Sequence, residues 1–489
     1  MQDSGPHDPG GSMSEPPEPR TRPRRVVIIG GGITGLAAAY YLQRALPERS
    51  DVEVVVLEAD SRPGGKLRTL HHAGFAVETG PDSFLTSKPA ALALCHDLGL
   101  DGELIPQQQP RGAYVMRRGK LIPIPPGLRL IHPTRRWEIL RSPLLSPAGR
   151  VRALAHPFTR RRRETGDESI GAYVQRRYGA EMLRVLGEPL LAGIHLADPW
   201  QLSLEATFPA LHAAPGRRAG SGPRPPAPGP KHLQGSPFAS LAGGMERLTA
   251  ALMSELGGSV SVDTTVHDII PSEGGYRVAL QGNPSLSGHY ELPADAVLVS
   301  TPAAAAAGLL RGVNPSLARL LESARATSSA IVTLGFRDPG HALPPGSGFL
   351  VPRGEHSRLL ACTWSSNKFA ARAPKGGFLV RGFVGGWRDA KILEMEHGEL
   401  LDLVRAELAR QLGGVFAGDA PATISHVERW PEGTPLYQVG HRQWLAKLAA
   451  AGKTTPGLWL AGAPYDGVGI PDCIHQARNA AGEIARYLG

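Results

Sequence analysis

Cysteine is scarce: Cys95, Cys362 and Cys473 are the only three in 489 residues and no two have CxxC spacing, which excludes a disulfide framework and a thiolate metal site. The reducing cytoplasm is the default compartment for such a chain. The 17 histidines show no ligand spacing, and GxSxG, HExxH and Cys-His groupings are missing, so neither a resident metal nor an activated nucleophile is expected. Long apolar runs are lacking too. The longest, Val26 to Leu42, is interrupted by three consecutive glycines and reads as strand, turn and helix, not as a membrane span. Aromatics amount to 6% and do not interleave with the arginines, which argues against a nucleic-acid partner.

Glycine (60) and proline (45) are plentiful, as in a chain with many turns, and 42% hydrophobic against 20% charged residues is an ordinary globular balance. The length exceeds what one core organises, so two or three interleaved domains are expected. The net charge of +9 is concentrated in Arg20–Arg25, Arg160–Arg163 and the segment 212–237, which contains GRRAGSGPRPPAPGP and reads as a mobile surface loop. These basic stretches suit solvated loops, or attraction to an anionic substrate or a membrane surface. Residues 1–24 are rich in Pro, Gly, Ser and charge, have no apolar signal region, and are expected to be a disordered leader.

The informative pattern begins at Val26. A β-branched strand (26–29) runs into Gly30-x-Gly32-x-x-Gly35, a helix follows to about Arg44, and a second strand (52–57) ends at Glu58. Glycines there permit a tight turn and let a diphosphate approach the helix N-terminus, while a carboxylate about 20 residues on accepts from a ribose hydroxyl. An adenine dinucleotide is therefore expected, with Gly31, Ile33, Thr34 and Ala59 in the same turns. Arg62-Pro-Gly-Gly65 adds a cation and backbone donors, a habit of FAD sites more than of NAD sites. No second strand-GxGxxG-helix unit appears, so electrons are expected to leave to oxygen or another diffusible acceptor. Near the C-terminus, a strand (458–461), a glycine-rich turn (462–469) and a helix with Pro471 near its start would aim a positive helix end at the cofactor.

From Val26 onward the chain resembles the flavin-dependent porphyrinogen oxidases of the monoamine oxidase and phytoene desaturase superfamily. The segments that carry the likeness are GGGITGLAAAYYL (30–42), RPGGK (62–66), VETGPDSF (77–84), EPLLAGIHLADPWQLSLEATFP (188–209), RWPEGTPLYQVGH (429–441) and YDGVGIPDCI (465–474). ACTWSSNKF (361–369) and GVGIPDC resemble the bacterial coproporphyrinogen III oxidases more than the protoporphyrinogen oxidases of organelles. The resemblance implies an α/β fold: a Rossmann-like FAD-binding domain (GR2-type flavoprotein) interleaved with a mixed α+β substrate domain and a helical insertion. The FAD-binding parts are expected at 25–90, 238–302 and 426–489, and the substrate parts at 91–237 and 303–425.

It also implies site residues. Gly30, Gly32 and Gly35 would take the diphosphate and Glu58 the ribose, with Gly65 and Lys66 beside them; Lys66 stands where many superfamily members carry arginine. Gly80, Pro81, Asp82 and Ser83 would lie along the flavin and Val266 would meet the adenine, while Trp430, Val468, Gly469 and Ile470 would border the ring. The implied reaction is oxidation of coproporphyrinogen III to coproporphyrin III by three two-electron hydride transfers to flavin N5, with O2 reduced to H2O2, in haem biosynthesis. Protoporphyrinogen IX oxidation and a non-catalytic porphyrin carrier are the alternatives. A substrate with four propionates calls for cationic or hydrogen-bonding anchors, for which Lys88 and His195 are the candidates. A ferrochelatase-like recipient for the product, and a cytoplasmic location with peripheral membrane contact, complete the expectation.

Overall fold

The structure, a computed structural model, describes residues 22–46, 51–129, 132–156, 166–212, 229–281, 289–337, 340, 342–418 and 421–489. The expected leader up to residue 21, Arg160–Arg163 and residues 213–228 of the basic loop lie outside these.

The strand Arg24–Ile29 is the centre of a five-stranded parallel sheet, flanked by Val52–Leu57 and Val260–Ser261 on one side and by Ala296–Val299 and Leu458–Leu460 on the other. Its alternation sorts side chains between two cores. Val26 and Ile28 face the helices Ile33–Ala45, Glu246–Leu256 and Ile470–Tyr487, whereas Val27 and Ile29 face an antiparallel layer (Thr265–Ser272, Gly275–Gln281, His289–Ala294) and the helices Ala303–Leu310 and Pro315–Glu322. The first helix is apolar nearly all round because it is enclosed nearly all round: Leu36, Ala37, Ala39 and Leu42 are fully buried.

A second sheet of seven strands runs in the order Ile424–Leu436, Arg325–Phe336, Phe378–Gly385, Leu359–Trp364, Gly348–Leu350, Tyr114–Arg117 and Lys120–Pro123. The helix His397–Leu412 covers one face, and helices between Arg136 and His212 form a further core with Val115, Leu350 and Leu436.

These memberships move three expected boundaries. The helix Pro89–Asp97 buries Ala91, Leu92 and Leu94 in the core of the parallel sheet, so that unit extends past residue 90. Helices 303–310 and 315–322 pack on its other face, so it also extends past 302. The strand Ile424–Leu436 pairs with Arg325–Phe336, so the break expected at 425/426 cuts through a strand of the second sheet. Residues 229–237 of the expected mobile loop are anchored at a few points, with Leu233 in the core, Ser236 buried and His232 Nε2 2.8 Å from the Leu104 carbonyl. In each case an apolar face found a long-range partner that local composition does not reveal.

Candidate functional site

A cavity of about 1690 Å³ opens at the C-terminal ends of the parallel strands and continues toward the seven-stranded sheet. Two glycine turns form its floor. Gly30 has φ +103° and its N–H donates to the Leu57 carbonyl at 2.8 Å, so the chain turns sharply out of the first strand. A Cβ on Gly35 would overlap the Gly30 carbonyl oxygen, so only glycine lets the helix sit this close to the strand. A Cβ on Gly32 would meet no protein atom within 4 Å; that space belongs to the cavity. The RPGGK turn lies across it, with Gly64 N–H donating to the Gly31 carbonyl at 2.8 Å.

Glu58 is held at the rim, its Oε2 accepting from Gly31 N–H (2.6 Å) and its Oε1 from Asp60 N–H (2.9 Å). The first turn of the helix has no side-chain cap, so its N–H groups face the cavity. An open space at Gly32, uncapped helix donors and a fixed carboxylate beyond them fit the diphosphate and ribose of a dinucleotide. Arg62 lines the same wall, but its guanidinium donates to the Gly65 (2.7 Å) and Pro63 (3.2 Å) carbonyls and so braces the turn. Ile33, Thr34, Ala59, Gly65, Lys66 and Val266 all line the cavity.

Away from these turns the cavity is lined by Pro81, Ile194, Trp430, Val468 and Ile470. Trp430 Nε1 donates to the Thr79 carbonyl at 2.9 Å, and Lys66 Nζ lies 5.9 Å from the indole centroid while donating to the Gly433 carbonyl. Burial lowers the Lys66 ammonium from its ordinary pKa. The closing helix begins at Ile470, with Pro471 in its first turn, and points its N-terminus at this part of the cavity.

Six expected contacts do not line the cavity: Gly31 and Gly35 within the first turn, and Gly80, Asp82, Ser83 and Gly469. Gly80 packs its Cα against the Lys66 carbonyl, leaving no room for a side chain, and does not line the cavity. Asp82 and Ser83 face away from it: Asp82 Oδ1 is 2.8 Å from Lys368 Nζ, its Oδ2 is 3.6 Å from Arg381 Nη1, and Ser83 Oγ donates to Asp82 Oδ1 at 2.7 Å. These two cations hold the Asp82 carboxyl well below its usual range despite its burial. Gly469 also stays behind the wall, its N–H directed to Asp472 Oδ2 at 3.3 Å.

Lys88 forms an ion pair with Asp472, its Nζ 2.7 and 2.6 Å from the two carboxylate oxygens, and remains half-exposed. His195 does not line the cavity. It is buried edge-on against Phe208, and burial with the neighbouring Lys88 charge lowers its pKa to about 4, so the imidazole is neutral.

Two groups of residues escaped the sequence reading. Ser300–Ala305 line the cavity where the fourth parallel strand ends, and the rule that ligands bind at carboxyl ends of parallel strands could have flagged them. The cations Lys368, Arg372 and Arg381 enter from the second sheet and its connection; Lys368 lies in the ACTWSSNKF segment without a role having been expected for it, and no local motif marks the two arginines.

The family model described as flavin containing amine oxidoreductase matches residues 33–485. The coproporphyrinogen III oxidase of Bacillus subtilis is 34% identical over 477 residues, covering 95% of this chain and 98% of that one. The chloroplastic protoporphyrinogen oxidase 1 of Arabidopsis thaliana is 29% identical, covering 94% and 88%. A crystal structure from an Exiguobacterium species, provisionally named a protoporphyrinogen oxidase, superimposes with a TM-score of 0.80 at 28% identity, covering 95% and 99%.

Proposed function

The chain belongs to the flavin-containing amine oxidoreductase family and is an oxidoreductase, and on that premise we propose that it oxidises coproporphyrinogen III to coproporphyrin III, using FAD and O2. The observation that carries this reading is full-length similarity to a coproporphyrinogen III oxidase, at higher identity than to the plant protoporphyrinogen oxidase. When bound, the flavin supplies a two-electron acceptor, so three cycles cover the six electrons between porphyrinogen and porphyrin, with O2 leaving as H2O2.

The chain's own work is positioning and exclusion of water. With FAD bound, the Gly30–Gly35 turn and the uncapped helix donors would hold the diphosphate, Glu58 the ribose hydroxyls and the Val266 backbone the adenine. Ile194, Pro81, Val468 and Ile470 give the cavity an apolar wall away from that turn, suited to a macrocycle edge. Lys88 is half-exposed and paired with Asp472 of the closing helix, and a substrate carboxylate would compete with Asp472 for it. An assay of coproporphyrinogen III against protoporphyrinogen IX tests the substrate. In the same assay Lys88→Ala should raise KM for the four-propionate ring about tenfold, the range of one charge-assisted hydrogen bond, with kcat little changed; unaltered kinetics would remove Lys88 from the site.

Peripheral contact with an anionic membrane is part of this proposal. No helix among the described residues is long and apolar enough to cross a membrane. On the short helices Arg136–Arg141 and Pro147–Leu154, however, Trp137 is 74% and Val151 67% exposed, and Arg135, Arg136 and Arg141 are exposed beside them. An exposed indole within a basic surface suits an anionic lipid interface. The wild type is expected to sediment with phosphatidylglycerol vesicles and Trp137→Ala much less so; equal sedimentation of both, or none of either, ends this part of the reading.

A further inference from the structure

Five charges are packed behind the wall at the Pro81 end of the cavity. Glu78 pairs with Arg372 at 3.3 Å, and Asp82 pairs with Lys368 at 2.8 Å and with Arg381 at 3.6 Å. The Arg372, Arg381 and Glu78 side chains are at most 2% exposed, and those of Asp82 and Lys368 are 13% and 15% exposed. Arg381 Nη2 donates to the Gly80 carbonyl at 2.5 Å and Trp430 Nε1 to the Thr79 carbonyl at 2.9 Å, so both carbonyls are held in place just before Pro81, which lines the cavity.

Stability alone is a poor reason for this arrangement. Buried ion pairs generally gain little over well-packed apolar side chains, because removing the charges from water costs several kcal/mol per ion. The Nε atoms of Arg372 and Arg381 have no hydrogen-bond partner among the described residues, so the cluster is not fully satisfied either. Three cations against two carboxylates also leave one positive charge in excess, enclosed where solvent screens it weakly.

We propose that this cluster is an electrostatic seat for the ring end of the cofactor: Lys368 and Arg381, anchored on Asp82, fix the Gly80–Pro81 wall and place an uncompensated positive charge behind it that raises the electron affinity of the flavin in front. The inference rests on the reading that the cavity holds a flavin with its ring at the Pro81 and Trp430 end. It does not depend on which porphyrinogen is the substrate. Lys368 and Arg381 are positioning residues in this account, since they act through the wall and not by contact with substrate.

The test is the flavin midpoint potential of the reconstituted full chain, measured by equilibration with a reference dye in the absence of substrate, together with flavin content. Arg381→Met and Lys368→Met should lower the reduced-to-oxidised ratio at a fixed potential about tenfold, a downward shift of about 30 mV for a two-electron couple. Asp82→Asn should shift it upward, and Arg381→Lys should stay near wild type. Opposite signs for removing a cation and removing an anion are what a merely structural role would not produce. Shifts of one sign in all variants, or no shift in variants that retain flavin, overturn the proposal. If Arg381→Met does not fold, the Lys368→Met and Asp82→Asn pair decides alone. A wild-type protein that binds no flavin on reconstitution would overturn the cofactor reading itself, a distinguishable result.

Discussion

Gly32→Val is expected to yield a folded, colourless protein. Gly32 has φ −71° and a Cβ there would meet no protein atom within 4 Å, so neither backbone strain nor a clash opposes the substitution in the empty chain. What the isopropyl group occupies is the space above the first turn of the helix Ile33–Ala45, where the N–H groups are free to meet a diphosphate. Circular dichroism and the apo-protein melting temperature should match wild type, while flavin absorbance after reconstitution should fall to background. Gly35→Val is the contrast: its Cβ would overlap the Gly30 carbonyl oxygen, so it should impair folding itself. A Gly32→Val protein that retains a full complement of flavin would contradict the phosphate-turn assignment.

Arg372→Met should be the most destabilising of the charge substitutions. Glu78 is 2% exposed, and besides Arg372 it accepts from Met245 N–H and Thr69 Oγ1, both at 2.9 Å. Removing one member of a buried pair typically costs about 3–5 kcal/mol, because the other is left charged in a poorly polarisable surrounding. The double variant Arg372→Met/Glu78→Gln should recover most of that loss. The pH dependence has a definite sign. Burial raises the Glu78 pKa in the folded chain, with Arg372 opposing, so without Arg372 it rises further. A carboxyl whose folded pKa exceeds its unfolded one binds more protons when folded, and its stabilising contribution is lost as pH rises above the unfolded value. Urea melts should therefore show a larger deficit for Arg372→Met at pH 8 than at pH 5. A deficit independent of pH would place the cost in packing and not in the stranded charge.

The parts of the molecule legible in the sequence are those governed by local sterics. The glycines at 30, 32 and 35 and the alternation of Val26–Ile29 follow from chain geometry over a few residues, and the βαβ unit forms as they require. Pro471 and the glycines before it mark the start of the closing helix for the same reason. What a side chain faces is a different matter. Asp82 and Ser83 belong to the right turn, yet their carboxylate and hydroxyl meet Lys368, which is supplied by a segment far along the chain. His195 lies in a segment that reads correctly as helix, but its neutrality comes from burial near Phe208 and Lys88, which no spacing encodes. The boundaries near 90, 302 and 425 failed likewise, since the partners that bury those segments are remote in sequence.

The most direct test of the account is an aerobic assay of the flavin-loaded protein on coproporphyrinogen III and protoporphyrinogen IX side by side, following porphyrin fluorescence and H2O2. A clear preference in kcat/KM for coproporphyrinogen III is expected, with three H2O2 formed per porphyrin. Preference for protoporphyrinogen IX, or no fluorescence from either, would contradict it.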